Sequence, residues 1–398
     1  MRGRWIGLLV LANLAVFMGF FTPIQQLLPS QIALIDPAHK ETMLGWVTGL
    51  GALAAVLINP LAGALSDRTR LPGLLRGRRH PWTLGGAVLG ALCLAFLATQ
   101  HTIAGVAVGW IAAQSCLNAM LASLTAAVPD RVPVAQRGAV SGWVGIPQVF
   151  GIVLGVALVT LVFTGVAAGY LAIAVLLVLC TLPFTLVTPD DRLGEHERPR
   201  FAWRRFWISP RAHPDFAWTF AARFLVFLGN ALGTLYLLYF LTDRVHYADP
   251  QTGLLILIVI YTAALIATTV VAGSRSDRTG RRRRYVAISG AVMAVAALLL
   301  ALAPQWTVAM AAAAIMGGGY GIYLSVDNAL VTQVLPAVRD RAKDLGVVNI
   351  ASSAPQVLAP ALAAPIVRSV GGYPALYALT AVVTALGGIL VYRVKSVR

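Results

Sequence analysis

Apolar runs long enough to cross a bilayer recur about a dozen times along this 398-residue chain, and no other feature restricts its fold as tightly. They fall at roughly 5–28, 43–65, 82–99, 103–128, 139–162, 166–187, 216–241, 253–273, 285–303, 307–335, 345–367 and 374–392. A helix needs about 18 or more apolar residues to traverse a hydrocarbon core of about 30 Å. Only 12% of the residues are charged, whereas a soluble domain is nearer a quarter charged. The pattern predicts an all-α polytopic membrane protein of about twelve helices. The opening stretch, MRGRWIGLLVLANLAVFMGFF, imitates a secretory signal. Its apolar run continues to Leu28 without a small-residue cleavage site, so it reads as the first span.

The arginines then sort by side. The net charge is +16 at neutral pH, but the cations stand in short clusters between apolar runs rather than in one domain. That arrangement argues against a nucleic-acid partner. With the N-terminus inside, 27 of the 31 Lys and Arg lie in inside segments; Lys40, Arg244 and Arg368 remain outside, and Arg223 falls within a span. Such asymmetry is the positive-inside bias, and it predicts cytoplasmic termini in a plasma (inner) membrane. The long segment 188–215 divides six spans (1–187) from six (216–398). Its centre, RFAWRRFWI, fits either a short helix at the lipid interface or a plain basic loop.

Short motifs recur at nearly constant offset. SDRT at 66–69 returns at 276–279, PQV at 147–149 at 355–357, and Asn118-Ala119 as Asn328-Ala329. The copies fall on matching spans, so two pseudo-symmetric six-helix halves are expected. A duplicated bundle of this kind points to alternating access, with a solute site between the halves. Catalysis is not signalled, and neither an enzyme activity nor a cofactor is expected. The six histidines lie in loops or at span edges without triad or metal spacing, and Cys93, Cys116 and Cys180 read as packing residues. GGGYG at 317–321 follows no strand and reads as close helix packing rather than a nucleotide loop.

GALSDRT at 63–69 is followed closely by GRRHPW at 77–82. Gly63 would let neighbouring helices approach. Asp67 could accept from a helix N-terminus, whose dipole favours an anion, while Arg68 pairs with acids or lipid phosphates. Asp277 and Arg278 repeat these positions. The residues form either a gate or the solvated end of a helix. With the span number, the central loop and a copy in each half, this loop resembles the signature of the major facilitator superfamily along the whole chain. SDRT with GRRHPW close behind resembles, more narrowly, the glycoside–pentoside–hexuronide and sucrose-transporter branches. The resemblance implies the gate, and a secondary carrier of a small polar organic solute, sugar- or glycoside-like, coupled to protons. A proton-driven exporter of drugs or metabolites is the alternative. Where the sugar–cation branch carries second-span carboxylates this chain has Ala55 and Asn59, which argues against sodium. The fourth-span arginine of drug antiporters is also missing.

Polar side chains within a bilayer turn toward the bundle interior. Tyr320, Tyr323 and Asp327 share one face of span ten, as Arg223, Phe227, Asn230 and Thr234 do in span seven and Asn349, Ser353 and Gln356 in span eleven. The resemblance implies a cavity lined by spans one, four, seven and ten. That selects Gln25, Gln26, Asn118, Asn230, Tyr320 and Tyr323 as solute contacts, although amides and hydroxyls also join membrane helices to one another. Asp327 and Arg223 are the one acid and one base deep within the spans, at matching depth. Leaving either charge alone there costs at least about 2.5–3.5 kcal/mol. They are expected to pair, with Asp327 as the proton-coupling acid; the alternative sends Arg223 to lipid phosphates and leaves Asp327 bonded to Tyr323.

Overall fold

A computed structural model describes residues 3–66, 69, 77–133, 136–190, 213–334 and 341–395; at 137–139, 141, 277, 328, 329, 332, 333 and 341–349 it describes the backbone alone. Asp67 and Arg68 lie outside the described residues, as do the centre of the long connection and the side chain of Asp277. The chain divides into two compact units, Met1–Phe201 and Ala202–Arg398.

In the first unit α1 (Gly3–Thr22) runs through a π-helical stretch, Pro23–Leu27, into α2 (Leu28–Ile35). The remaining helices are α3 (Lys40–Ser66), α4 (His80–Ala98), α5 (Ile103–Arg131), α6 (Arg137–Leu161) and α7 (Val166–Val187). The second unit holds α8 (Pro214–Leu235), α9 (Leu237–Asp243), α10 (Pro250–Thr279), α11 (Arg282–Leu302), α12 (Trp306–Val334), α13 (Arg341–Pro365) and α14 (Gly372–Leu390). Twelve segments are long and apolar enough to cross a membrane. Large apolar side chains stay uncovered along them, Leu302 at 81% and Trp46 at 64% exposure among them. Water does not tolerate so continuous an apolar surface, and acyl chains do.

Two boundaries differ from the sequence expectation for local reasons. The first span extends to Ile35 rather than ending near Leu28. Pro29 has no N–H to offer the carbonyl four residues back, so the turn widens, with the Leu28 amide bonding the Pro23 carbonyl, and the helix continues. Span eight continues through the second SDRT to Thr279. Nothing breaks that helix until Gly280, which adopts the left-handed conformation (φ 64°) and donates its N–H to the Ser276 carbonyl at 2.8 Å.

The two units repeat one packing scheme. In the first, α5 lies against α3 and α4, α4 against α7, and α1 against α6 and α7. In the second, α12 lies against α10 and α11, α11 against α14, and α8 against α13 and α14. The short motifs follow this repeat only in part. Ser66 is twenty-six residues beyond Lys40, and Ser276 is twenty-six beyond Pro250, so SDRT is in register. Asn118 is fifteen residues beyond Ile103, whereas Asn328 is twenty-two beyond Trp306, two turns deeper. Pro147 and Pro355 are likewise about one turn out of register. The cause is the link after SDRT, which is long before His80 and only two residues before Arg282. A constant offset cannot survive it, so the Asn-Ala match is not structural.

GGGYG holds α12 against its neighbours. A Cβ on Gly317 would stand 2.1 Å from the Tyr261 carbonyl oxygen, one on Gly321 2.3 Å from that of Leu265, and one on Gly319 2.7 Å from Met293 of α11. Where α10 and α12 touch, the Thr268 and Thr269 hydroxyls donate to the Gly318 and Gly321 carbonyls at 2.9 and 3.1 Å. Backbone contact with crossing hydroxyl bonds is how helices adhere where lipid is as apolar as leucine. At Gly63, by contrast, nothing among the described residues lies within 4 Å of a Cβ position.

Candidate solute and coupling site

Among the described residues of the second unit, an ion pair is buried. Arg223, nine residues into α8, donates from Nη1 to Asp327 Oδ2 of α12. At about 1.5 Å per residue, Arg223 lies about 14 Å from the start of its helix and Asp327 about 10 Å from the end of its own. Arg223 is 8% exposed and Asp327 3%. Tyr323, one turn before Asp327, donates its hydroxyl to Oδ1 at 2.7 Å. Ser352 of α13 accepts from Arg223 Nε at 3.1 Å and Nη2 at 2.9 Å. The guanidinium also lies over the Phe227 ring, 5.1 Å from its centroid. Both alternatives of the sequence reading are partly present: the charges pair, and Tyr323 bonds the acid as well. Fork, ring and hydroxyl together offset the cost of withdrawing two charges from water.

A second polar group lies along the same face of α8. Asn230 accepts a 2.8 Å hydrogen bond at Oδ1 from the Tyr261 hydroxyl of α10. Tyr320 meets Phe227 edge-on at 5.9 Å between centroids and lies near-parallel to Tyr323 at 6.4 Å. Phe227, Asn230, Tyr261 and Tyr320 are all half-buried, so this part of the site is open where the ion pair is closed.

Two of the solute candidates selected in the first unit, Asn118 and Gln26, have local partners. Asn118 donates from Nδ2 to the Gln114 carbonyl at 2.8 Å and to Gln114 Oε1 at 3.0 Å. Gln26 accepts from the Thr160 hydroxyl of α6 at 3.0 Å, and Gln25 is half-buried on the same π-helical stretch. Gln26 and Thr160 thus join α6 to the first span. Arg278 is exposed in the last turn of α10, where a cation suits the helix dipole.

GRRHPW organises the arginine-rich end of the first unit, and the sequence did not reveal its partners. Arg78 Nη2 and Arg79 Nε grip the two oxygens of Asp130, at the end of α5, at 2.7 and 2.8 Å. Arg79 Nη1 also donates to Ser66, and Trp82 donates to Thr69 at 2.7 Å. Asp190, beyond α7, accepts from the backbone amides of Arg79 and His80, both at 2.7 Å, and so caps α4 from far along the chain. It fits because Gly77, at φ 133°, has no Cβ; one would fall 2.2 Å from the Asp190 carboxyl carbon. A cavity of about 90 Å³ lies beside this cluster, against Trp5 and Phe184. Ser352 was missed as well. The helical stripe on span eleven pointed to Ser353, one residue on, because spacing fixes which residues share a face but not how the helix is turned toward its neighbour.

These features define a polytopic helical membrane protein of two similarly packed six-span units, each with buried polar groups. The chain matches the Major Facilitator Superfamily over residues 6–251 and again over 219–398, and it belongs to that family of transporters. Among solved structures it is similar to the nucleoside transporter NupG, with TM-score 0.74 at 14% identity, covering 99% of this chain and all of that one. A mutant form of NupG gives 0.76 at 13%. The human organic anion transporter MFSD10 (TETRAN) gives 0.69 at 17%, covering 98% of this chain and all of that one. At these identities the likeness concerns the fold. Comparison with curated proteins gives no match.

Proposed function

We propose that the chain is a secondary carrier that moves a small polar organic solute, sugar- or glycoside-like, by alternating access and couples it to protons. One observation carries this reading: the Arg223–Asp327 pair, buried mid-helix and braced by Tyr323 and Ser352. A purely structural bridge can be replaced by apolar packing at little cost, and ionisable groups within a membrane bundle commonly mark solute or proton routes. Protonation of Asp327 removes the charge that holds Arg223. Ser352 and the Phe227 ring keep the guanidinium in place, and its unmatched charge makes the protonated state the costlier of the two. The amide and tyrosine groups alongside supply the contacts a hydroxylated solute needs. The GRRHPW loop supports the glycoside branch, and the uneven distribution of arginines supports cytoplasmic termini in a plasma (inner) membrane.

The test is uptake of a labelled glycoside panel into proteoliposomes under an imposed pH gradient. Asp327→Asn is expected to abolish accumulation driven by the gradient while solute exchange continues. Undiminished accumulation by that variant refutes coupling through Asp327.

A further inference from the structure

Asn230 turns its donor end toward the open part of the site, and that donor suits a kind of solute. Its carbonyl oxygen is taken by the Tyr261 hydroxyl at 2.8 Å. In that arrangement the donor end of the amide is directed away from Tyr261. Among the described residues nothing accepts from Asn230 Nδ2, and the Tyr320 hydroxyl makes no hydrogen bond. Phe227 touches Tyr320 while standing one turn from Asn230 on α8. The open part of the site therefore offers an amide N–H₂ group, a phenol hydroxyl and half-exposed aromatic rings. One lone pair of its amide acceptor is already engaged.

We infer that the solute carries a planar ring with hydrogen-bond acceptors, carbonyl oxygens or ring nitrogens, which stacks on Tyr320 and accepts from Asn230. This deepens the carrier reading above and rests on it: the ring would be the aglycone of a glycoside-like molecule. A polyol fits less well. It offers no flat face to Tyr320, and one lone pair of the Asn230 oxygen is already engaged by Tyr261. Rings stack on aromatic faces, whereas saturated polyols give up more hydration for less contact. Tyr261 acts here as a positioning residue, since it sets the amide without touching solute.

The experiment measures equilibrium binding to the purified full chain in detergent at one pH, so proton coupling plays no part in it. The probes are uridine, 4-nitrophenyl β-glucoside and methyl β-glucoside. Both planar probes are expected to bind about tenfold or more tightly than methyl β-glucoside, as one or two hydrogen bonds allow. Asn230→Leu should erase that preference. Tyr261→Phe, which removes only a hydroxyl and frees the amide to turn, should reduce it to about threefold with the thermal midpoint unchanged. Equal or tighter binding of methyl β-glucoside overturns the inference. So does a preference that survives both substitutions, and so does a lack of saturable binding by both planar probes. Failure of proton-driven uptake with this selectivity intact would remove the coupling proposal alone.

Discussion

Consider the buried pair with one partner removed. Asp327→Leu leaves Arg223 with Ser352 and the Phe227 ring but no counter-charge. An arginine does not shed its proton in a protein, so the charge stays, at 8% exposure, with nowhere nearby to reach water. Breaking a buried pair in this way costs about 3–5 kcal/mol. Arg223→Met strands the carboxylate instead, but Asp327 keeps the Tyr323 hydroxyl at 2.7 Å and can take up a proton. Its loss should therefore be smaller, about 2–3 kcal/mol, near the penalty for an incompletely bonded buried polar group. The double variant Arg223→Met, Asp327→Leu strands nothing and should lie within about 1 kcal/mol of the parent. Tryptophan fluorescence during denaturation of the purified carrier in mixed SDS micelles gives all three values. Additive effects, with the double variant losing the sum of the singles, would refute the claim that unmatched charge is the cost. Equal losses in the two single variants would refute the asymmetry argued from Tyr323.

Two other predictions test other parts of the structure. Gly317→Val should prevent folding of the second unit, because the Tyr261 carbonyl would lie 2.1 Å from its Cβ, while Gly63→Ala, which meets nothing within 4 Å among the described residues, should leave yield and monodispersity unchanged. Asp249 caps α10, and the Thr252 hydroxyl (2.6 Å) and amide hold its carboxyl below the ordinary value. With the folded value lowered, the cap's small contribution is present above about pH 4 and lost as pH falls through the lowered value. Protection of the Thr252 amide, relative to its intrinsic exchange rate at each pH, should fall only in acid, and weak protection at neutral pH would contradict the cap.

The apolar runs made the twelve spans legible, since a bilayer core admits few other solutions. The Arg223–Asp327 contact was legible for a related reason: two opposite charges at equal depth in hydrocarbon have few options besides each other. Features set by one helix's rotation against another were not legible, and Ser352 rather than Ser353 is the plainest case. Tertiary caps were hidden too. Asp190 stands 110 residues from the amides of α4 that it caps, and neither stretch carries a pattern announcing the other. The Asn118 and Asn328 pair misled because equal spacing in sequence is not equal depth once a loop has changed length.

The glycine contacts between α10 and α12 have a mechanical consequence. Backbone touching backbone, with two threonine hydroxyls bonded across, leaves no compliant layer of side chains in which one helix could slide past the other. The two therefore behave as one lever. Asp327 is mounted on one arm and Tyr261 on the other. If Asp327 is the coupling acid proposed above, a displacement of α12 on its protonation would be carried to Tyr261 and so to Asn230, and a proton and a solute would be felt by one another without ever touching.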